Sequence, residues 1–243
     1  MGTTSVCRTI LTILLLGAAL ASADDEATRT TALDRVVFNR NQDIYLLEAD
    51  GTLQRLTDTG DNRHPVVSPD GYTIAFSSKR DGDWEIFVAN CDGGGLWQLT
   101  DNAAVDDSPT WSPDSRWLAF TSDRDGDFDV YVMEVNGRNV RRLTRHPADD
   151  LSPAWSPDGR SIAFVSNRDG SREIYLTDPH GAEETRLTED SADNTTPKWS
   201  ADGAEIVFFS ADSGSWRSVA CLAGGDDGPL SPAYGSGRAT DGP

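Results

Sequence analysis

The sequence predicts an all-β propeller built from four-stranded blades, and three observations carry that expectation. Prolines recur at a constant spacing of 44 residues, at Pro65, Pro109, Pro153 and Pro197. Short apolar runs recur at the same period, as Ile74–Phe76, Leu118–Phe120, Ile162–Phe164 and Ile206–Phe208. Turn residues punctuate each unit, as in Pro157-Asp158-Gly159 and Arg168-Asp169-Gly170. A period of this length, made of strand-sized runs and turns, is that of one propeller blade per repeat.

Each repeat reads as strands A to D. Strand A is the Pro-x-Trp-Ser segment holding Trp111, Trp155 and Trp199, with Val67 in the first copy. Proline lacks an N–H, which suits the start of a strand. The next turn is Pro-Asp-Gly or a close variant, in which proline presets φ, aspartate bonds its own backbone and glycine accepts positive φ. Strand B is the Ile-Ala-Phe run. Strand C is Ile86–Val88, Val130–Val132 and Ile174–Leu176. Both strands are apolar at successive positions, as a strand covered on both faces should be. Strand D ends in Leu-Thr, at Leu56, Leu99, Leu143 and Leu187.

The chain ends define the expected ring. Val36–Phe38, Asp43–Tyr45 and Arg55–Thr57 supply strands B, C and D of a blade without its own strand A. Leu230–Tyr234 resembles Leu151–Trp155, so a C-terminal strand is expected to enter that blade and close a ring of five, an incomplete six-bladed ring being the alternative. Closure of this kind hides strand edges. The expected organisation is a signal peptide over 1–23, a linker over 24–34, the propeller over 35–235 and a flexible tail over 236–243.

Arg8, the apolar run Ile10–Leu20 and the small residues Ala21-Ser22-Ala23 form the pattern of a cleaved secretory signal. The apolar run is too short to span a bilayer, so no membrane span is expected. With 21 basic against 40 acidic residues, the formal charge of −19 disfavours nucleic acid and favours basic partners. After cleavage Cys91 and Cys221 remain, in blades that are not neighbours, so no disulfide between them is expected.

The run Pro-x-Trp-Ser-Pro-Asp-Gly, Ile-Ala-Phe, Ser-x-Arg-Asp-Gly, Glu-Ile-Tyr, Leu-Thr resembles the WD40-like (PD40) repeat of TolB-type propellers from Val36 to about Tyr234. That resemblance implies a periplasmic or secreted propeller that captures a protein or peptide partner in the cell envelope. Here it comes without the family's N-terminal domain. Similar repeats occur in the gating propeller of serine peptidases and in an oligogalacturonate lyase, which sets an enzyme as the alternative. No Gly-x-Ser-x-Gly elbow or histidine cluster occurs in this chain.

No catalytic residue, cofactor or metal site is therefore expected, and the protein is read as a monomeric, non-enzymatic binder. His64, His146 and His180 fall in different blades and loop types. Asp123–Asp129 with Glu134 has acids at calcium-loop spacing, but its glycine is misplaced and the segment is a repeat turn. The candidate partner-binding residues precede each strand A, in loops expected to converge on one mouth of the channel. They are Asn62, His64, Asp106, Asp107, Asp149, Asp150, Asp193 and Asn194, of which Asn62, Asp106, Asp150 and Asn194 share one offset from their prolines. Trp111, Trp155 and Trp199 are expected to pack between blades, Arg80, Arg124 and Arg168 to be architectural, and Trp84 and Phe128 to offer exposed aromatic contacts.

Overall fold

A computed structural model describes residues 35–212 and 215–222. These residues form strands and turns, with no helix among them. Blade 1 is β1 (Arg35–Arg40), β2 (Asp43–Glu48) and β3 (Leu53–Arg55). Blade 2 is β4 (Asn62–Val67), β5 (Thr73–Ser78), β6 (Glu85–Asn90) and β7 (Leu96–Gln98). Blade 3 is β8 (Asp106–Trp111), β9 (Trp117–Ser122), β10 (Asp129–Glu134) and β11 (Arg141–Arg142). Blade 4 is β12 (Asp150–Trp155), β13 (Ile162–Ser166), β14 (Glu173–Thr177) and β15 (Glu184–Arg186). Blade 5 is β16 (Asp193–Trp199), β17 (Glu205–Asp212) and β18 (Ser215–Leu222).

All five sheets are antiparallel meanders, so the fold is the five-bladed propeller that the repeat implies. The strands beginning at Asn62, Asp106, Asp150 and Asp193 contact one another in succession along the inside of the array. The ring-closing strand expected at Leu230–Tyr234, the signal peptide, the linker and the tail lie outside the described residues.

The core is a set of slabs between neighbouring blades. Ile44, Leu46, Ile74, Phe76 and Phe87 fill the seam between blades 1 and 2. Ala75, Ile86, Trp111, Phe120 and Met133 fill the next seam, and Val130, Leu143, Ile162 and Phe164 the third. Phe76, Phe120 and Phe164 are fully buried at the 44-residue period, and truncating one to alanine removes about 3–5 kcal/mol. Cys91 and Cys221 are buried free thiols in separate slabs.

One expectation about the blade changes. The inner strand begins three residues before its proline in blades 2 to 4 and four before it in blade 5, so the proline sits inside the strand. Pairing with strand B shifts register across the proline, between Arg63 and Val66, Asp107 and Thr110, Leu151 and Ala154, and Thr195 and Lys198. The bulge accommodates a residue that cannot donate to the ladder. Each residue before the proline adopts positive φ, with His64 at 51°, Ser108 at 53°, Ser152 at 52° and Thr196 at 55°. The Ser108 and Ser152 amides then donate to Ser77 Oγ and Thr121 Oγ1 of the preceding blade, both at 3.2 Å. Tertiary bonds thus offset a backbone conformation that is rare outside glycine.

Candidate functional site

Strands A and C begin on the same face of the array, since Asn62 pairs with Ser78 and Ser78 with Glu85. On that face each seam carries a polar chain. An acid opens strand C, a threonine follows strand D, and an asparagine or aspartate lies at the start of strand A of the next blade; in the first three seams an arginine follows that blade's strand B, where blade 5 has Asp212.

In the first seam, Thr57 Oγ1 accepts from the Ile44 amide at 2.9 Å and donates to Asp43 Oδ1 at 3.2 Å. Asn62 Nδ2 donates to Thr57 Oγ1 at 3.1 Å. In the third seam, Thr144 Oγ1 accepts from the Val130 amide at 3.0 Å and donates to Asp129 at 3.2 Å. Arg168 Nη2 meets Asp150 at 2.9 and 3.1 Å. In the second seam Arg124 Nη2 grips both oxygens of Asp106 at 2.8 Å. The same guanidinium groups lie over aromatic rings, Arg124 over Tyr131 at 4.9 Å and Arg168 over Tyr175 at 4.6 Å. Arg80 takes the same place in the first seam, reaching Ser78 Oγ at 3.2 Å and the neutral Asn62 at 3.5 Å, so all three arginines are architectural. The aspartate partners of Arg124 and Arg168 are wholly buried, and a buried carboxylate needs such a partner.

This divides the eight predicted site residues. Asn62, Asp106, Asp150 and Asn194 are at most 2 % exposed and occupied by the seams, so they do not form a solvent-facing ring. The expectation that they sit in open loops fails because Asn62, Asp106 and Asp150 are the first residues, and Asn194 the second, of the inner strand. His64 and Asp193 are exposed, while Asp107 and Asp149 are partly buried. Asp193 Oδ1 accepts from the Arg172 amide at 3.1 Å, and Asn167 Nδ2 donates to Asp149 at 3.3 Å.

Asp107 is the centre of a small charged cluster. Arg63 Nε donates to its Oδ1 at 3.0 Å, His64 Nδ1 lies 2.9 Å from the same oxygen, and Ser108 Oγ lies 3.2 Å from His64 Nδ1. Burial pushes the Asp107 carboxyl up, but His64, Ser77 and Arg63 together outweigh it and hold the group at about 2. The cluster contains serine, histidine and aspartate, yet both partners share one imidazole nitrogen. A nucleophilic relay needs the aspartate on one ring nitrogen and the nucleophile on the other. The Arg63 guanidinium stacks over Trp84 at 3.6 Å, which covers that half-buried ring. Phe128 is also partly buried.

Trp111 and Trp199 do pack between blades, with Nε1 donating to the inner-strand carbonyls of Val66 at 3.1 Å and Ala154 at 2.9 Å. The residues that the sequence reading passed over are Glu85, Asp129 and Glu173, the buried acids that open strand C. Burial pushes Glu85 up to about 7, with Asp106 adding to the rise, against the opposing pull of Thr100 and the Asn102 amide. Burial also raises Asp129, although Arg142 opposes it. No group of metal-binding side chains occurs among the described residues. Nor is any helix there long and apolar enough to cross a membrane.

Fold and seams together define a tandem-repeat propeller with polar side chains buried in the seams between its blades. The model of the PD40 family, the TolB beta propeller domain, matches residues 36–146 and 124–232. The chain belongs to the TolB β-propeller family. No curated protein matches it. A putative TolB from Agrobacterium tumefaciens is 26% identical, with 83% of this chain and 76% of that one covered and a TM-score of 0.72. TolB from Acinetobacter baumannii is 25% identical over 77% of this chain and 49% of its own, with a TM-score of 0.67. A puromycin-hydrolyzing peptidase from Mycobacterium tuberculosis, 18% identical over 78% of this chain and 32% of its own, shares the fold at a TM-score of 0.62.

Proposed function

We propose that this protein is an exported, non-enzymatic propeller that captures a protein or peptide partner in the cell envelope. The docking face is the one on which strands A and C begin, presenting His64, Asp107, Asp149 and Asp193. The observation that carries this reading is a rim whose buried Asn62, Asp106, Asp150 and Asn194 are held in the seams while a few charged side chains stay accessible. Function on propellers of this kind concentrates in such loops on a fixed scaffold. The charge of −19 steers basic partners toward it. Kinship with TolB supports a periplasmic or secreted setting, and the shared nitrogen in the Ser108–His64–Asp107 cluster supports a role without turnover.

Affinity capture from the native envelope fraction tests the proposal. The mature chain is expected to retain a specific protein, less of it after His64→Ala with Asp193→Asn, and less at high salt. Hydrolysis or elimination of peptides or polysaccharides by the purified chain would replace this reading with an enzymatic one.

A further inference from the structure

In blades 3 and 4 one arginine on strand D gathers three acceptors. Arg142 Nε donates to the Thr144 carbonyl at 2.8 Å, Nη2 lies 2.6 Å from Asp129, and Nη1 lies 3.8 Å from Asp125. Arg186 repeats the pattern with the Thr188 carbonyl at 2.7 Å, Glu173 at 3.0 Å and Asp169 at 3.2 Å. The Tyr131 and Tyr175 hydroxyls donate to the two turn aspartates. In blade 1, Arg55 likewise joins the Thr57 carbonyl at 2.8 Å to Asp43 at 2.6 Å.

Blade 2 keeps the matching acceptors, Thr100, Glu85 and Asp81, but carries Gln98 where the others have arginine and Phe87 where they have tyrosine. The second seam thus has two buried carboxylates, Glu85 and Asp106, and Arg124 binds only Asp106. Asn102 donates its amide to Glu85 Oε1 at 2.6 Å and its side chain to Asp106 at 2.7 Å. Glu85 Oε2 has no hydrogen-bond partner although the residue is only 1 % exposed. An unpaired buried carboxylate oxygen is costly, and in the three sister seams an arginine lies 2.6–3.0 Å from the corresponding acid as its ion-pair partner. Gln98 is itself exposed, so the acceptors lie beneath a side chain that solvent reaches.

We propose that blade 2 takes this guanidinium from another chain, an arginine side chain of a peptide partner docking on Glu85, Asp81 and the Thr100 carbonyl. The inference deepens the proposed function and rests on that face being the partner-facing one. Arginine fits where lysine does not, because three diverging acceptors match a planar fork of donors better than a point charge. Binding requires the Glu85 carboxylate, so affinity rises as pH increases through about 7.

The test is an NMR titration of the full chain with the blocked tripeptide Gly-Arg-Gly, beside its lysine and citrulline counterparts. The arginine peptide is expected to shift the Thr100 and Asn102 amides, more weakly at pH 6 than at pH 8, with citrulline inert. Gln98→Arg supplies the guanidinium from within and should weaken binding about tenfold or more without loss of fold. Glu85→Gln should do the same. Equal binding of citrulline, undiminished binding by Gln98→Arg, or no shift at Thr100 overturns the proposal. His64→Ala leaves this titration unchanged while reducing partner capture, so failure here and failure of the broader reading are told apart.

Discussion

Replacing Glu85 with glutamine should flatten a loss of stability that the wild-type chain shows as pH rises from 4.5 to about 7. The folded carboxyl titrates near 7, against 4.5 when solvated, so the folded chain holds the extra proton across that window. Stability therefore falls with rising pH inside the window and is level above it. At 1.36 kcal/mol per unit, the shift sets an upper bound of about 3 kcal/mol. The assay is urea unfolding of wild type and variant at pH 5 and pH 8, comparing the difference between them so that other titrations cancel. A wild-type minus variant difference that stays constant between the two pH values would refute the argument.

The other seams yield graded effects. Arg124→Met strands the wholly buried Asp106 and should cost about 3–5 kcal/mol in chemical unfolding, while Arg80→Met, whose partner Asn62 is neutral and 3.5 Å away, should cost about 1 kcal/mol. Asp107→Asn should destabilise by about 2 kcal/mol at pH 7. That penalty should vanish toward pH 2, because the depressed carboxyl contributes stability above 3.8 and loses it as pH falls through about 2. Trp199→Phe removes the bond to the Ala154 carbonyl and should lower stability by about 1–2 kcal/mol, read as a shift in urea midpoint.

The architecture was legible because the same physical demands recur every 44 residues. Trp111 and Trp199 could be assigned to packing from their fixed place in the repeat, and both bond across a seam. The burial of Asn62, Asp106, Asp150 and Asn194 is not legible, because a proline that cannot donate to the ladder reads as the first residue of a strand. The bulge that lets Pro65 sit inside a strand depends on hydroxyls from the preceding blade, as at Ser77 and Thr121, which no local pattern encodes. Gln98 was readable in principle, since it aligns with Arg55, Arg142 and Arg186. Its meaning required knowing that those arginines cap buried acids. Asp107 likewise gains its partners from a neighbouring blade, at Arg63 and His64.

Hydrogen exchange on the captured complex measures the docking face most directly. Slowed exchange is expected in the segments around His64, Asp107, Asp149 and Asp193 and at Thr100 and Asn102. Slowing confined to the opposite face, at the turns holding Gly71, Gly93, Gly137 and Gly181, with the rim near His64 unchanged, would contradict it.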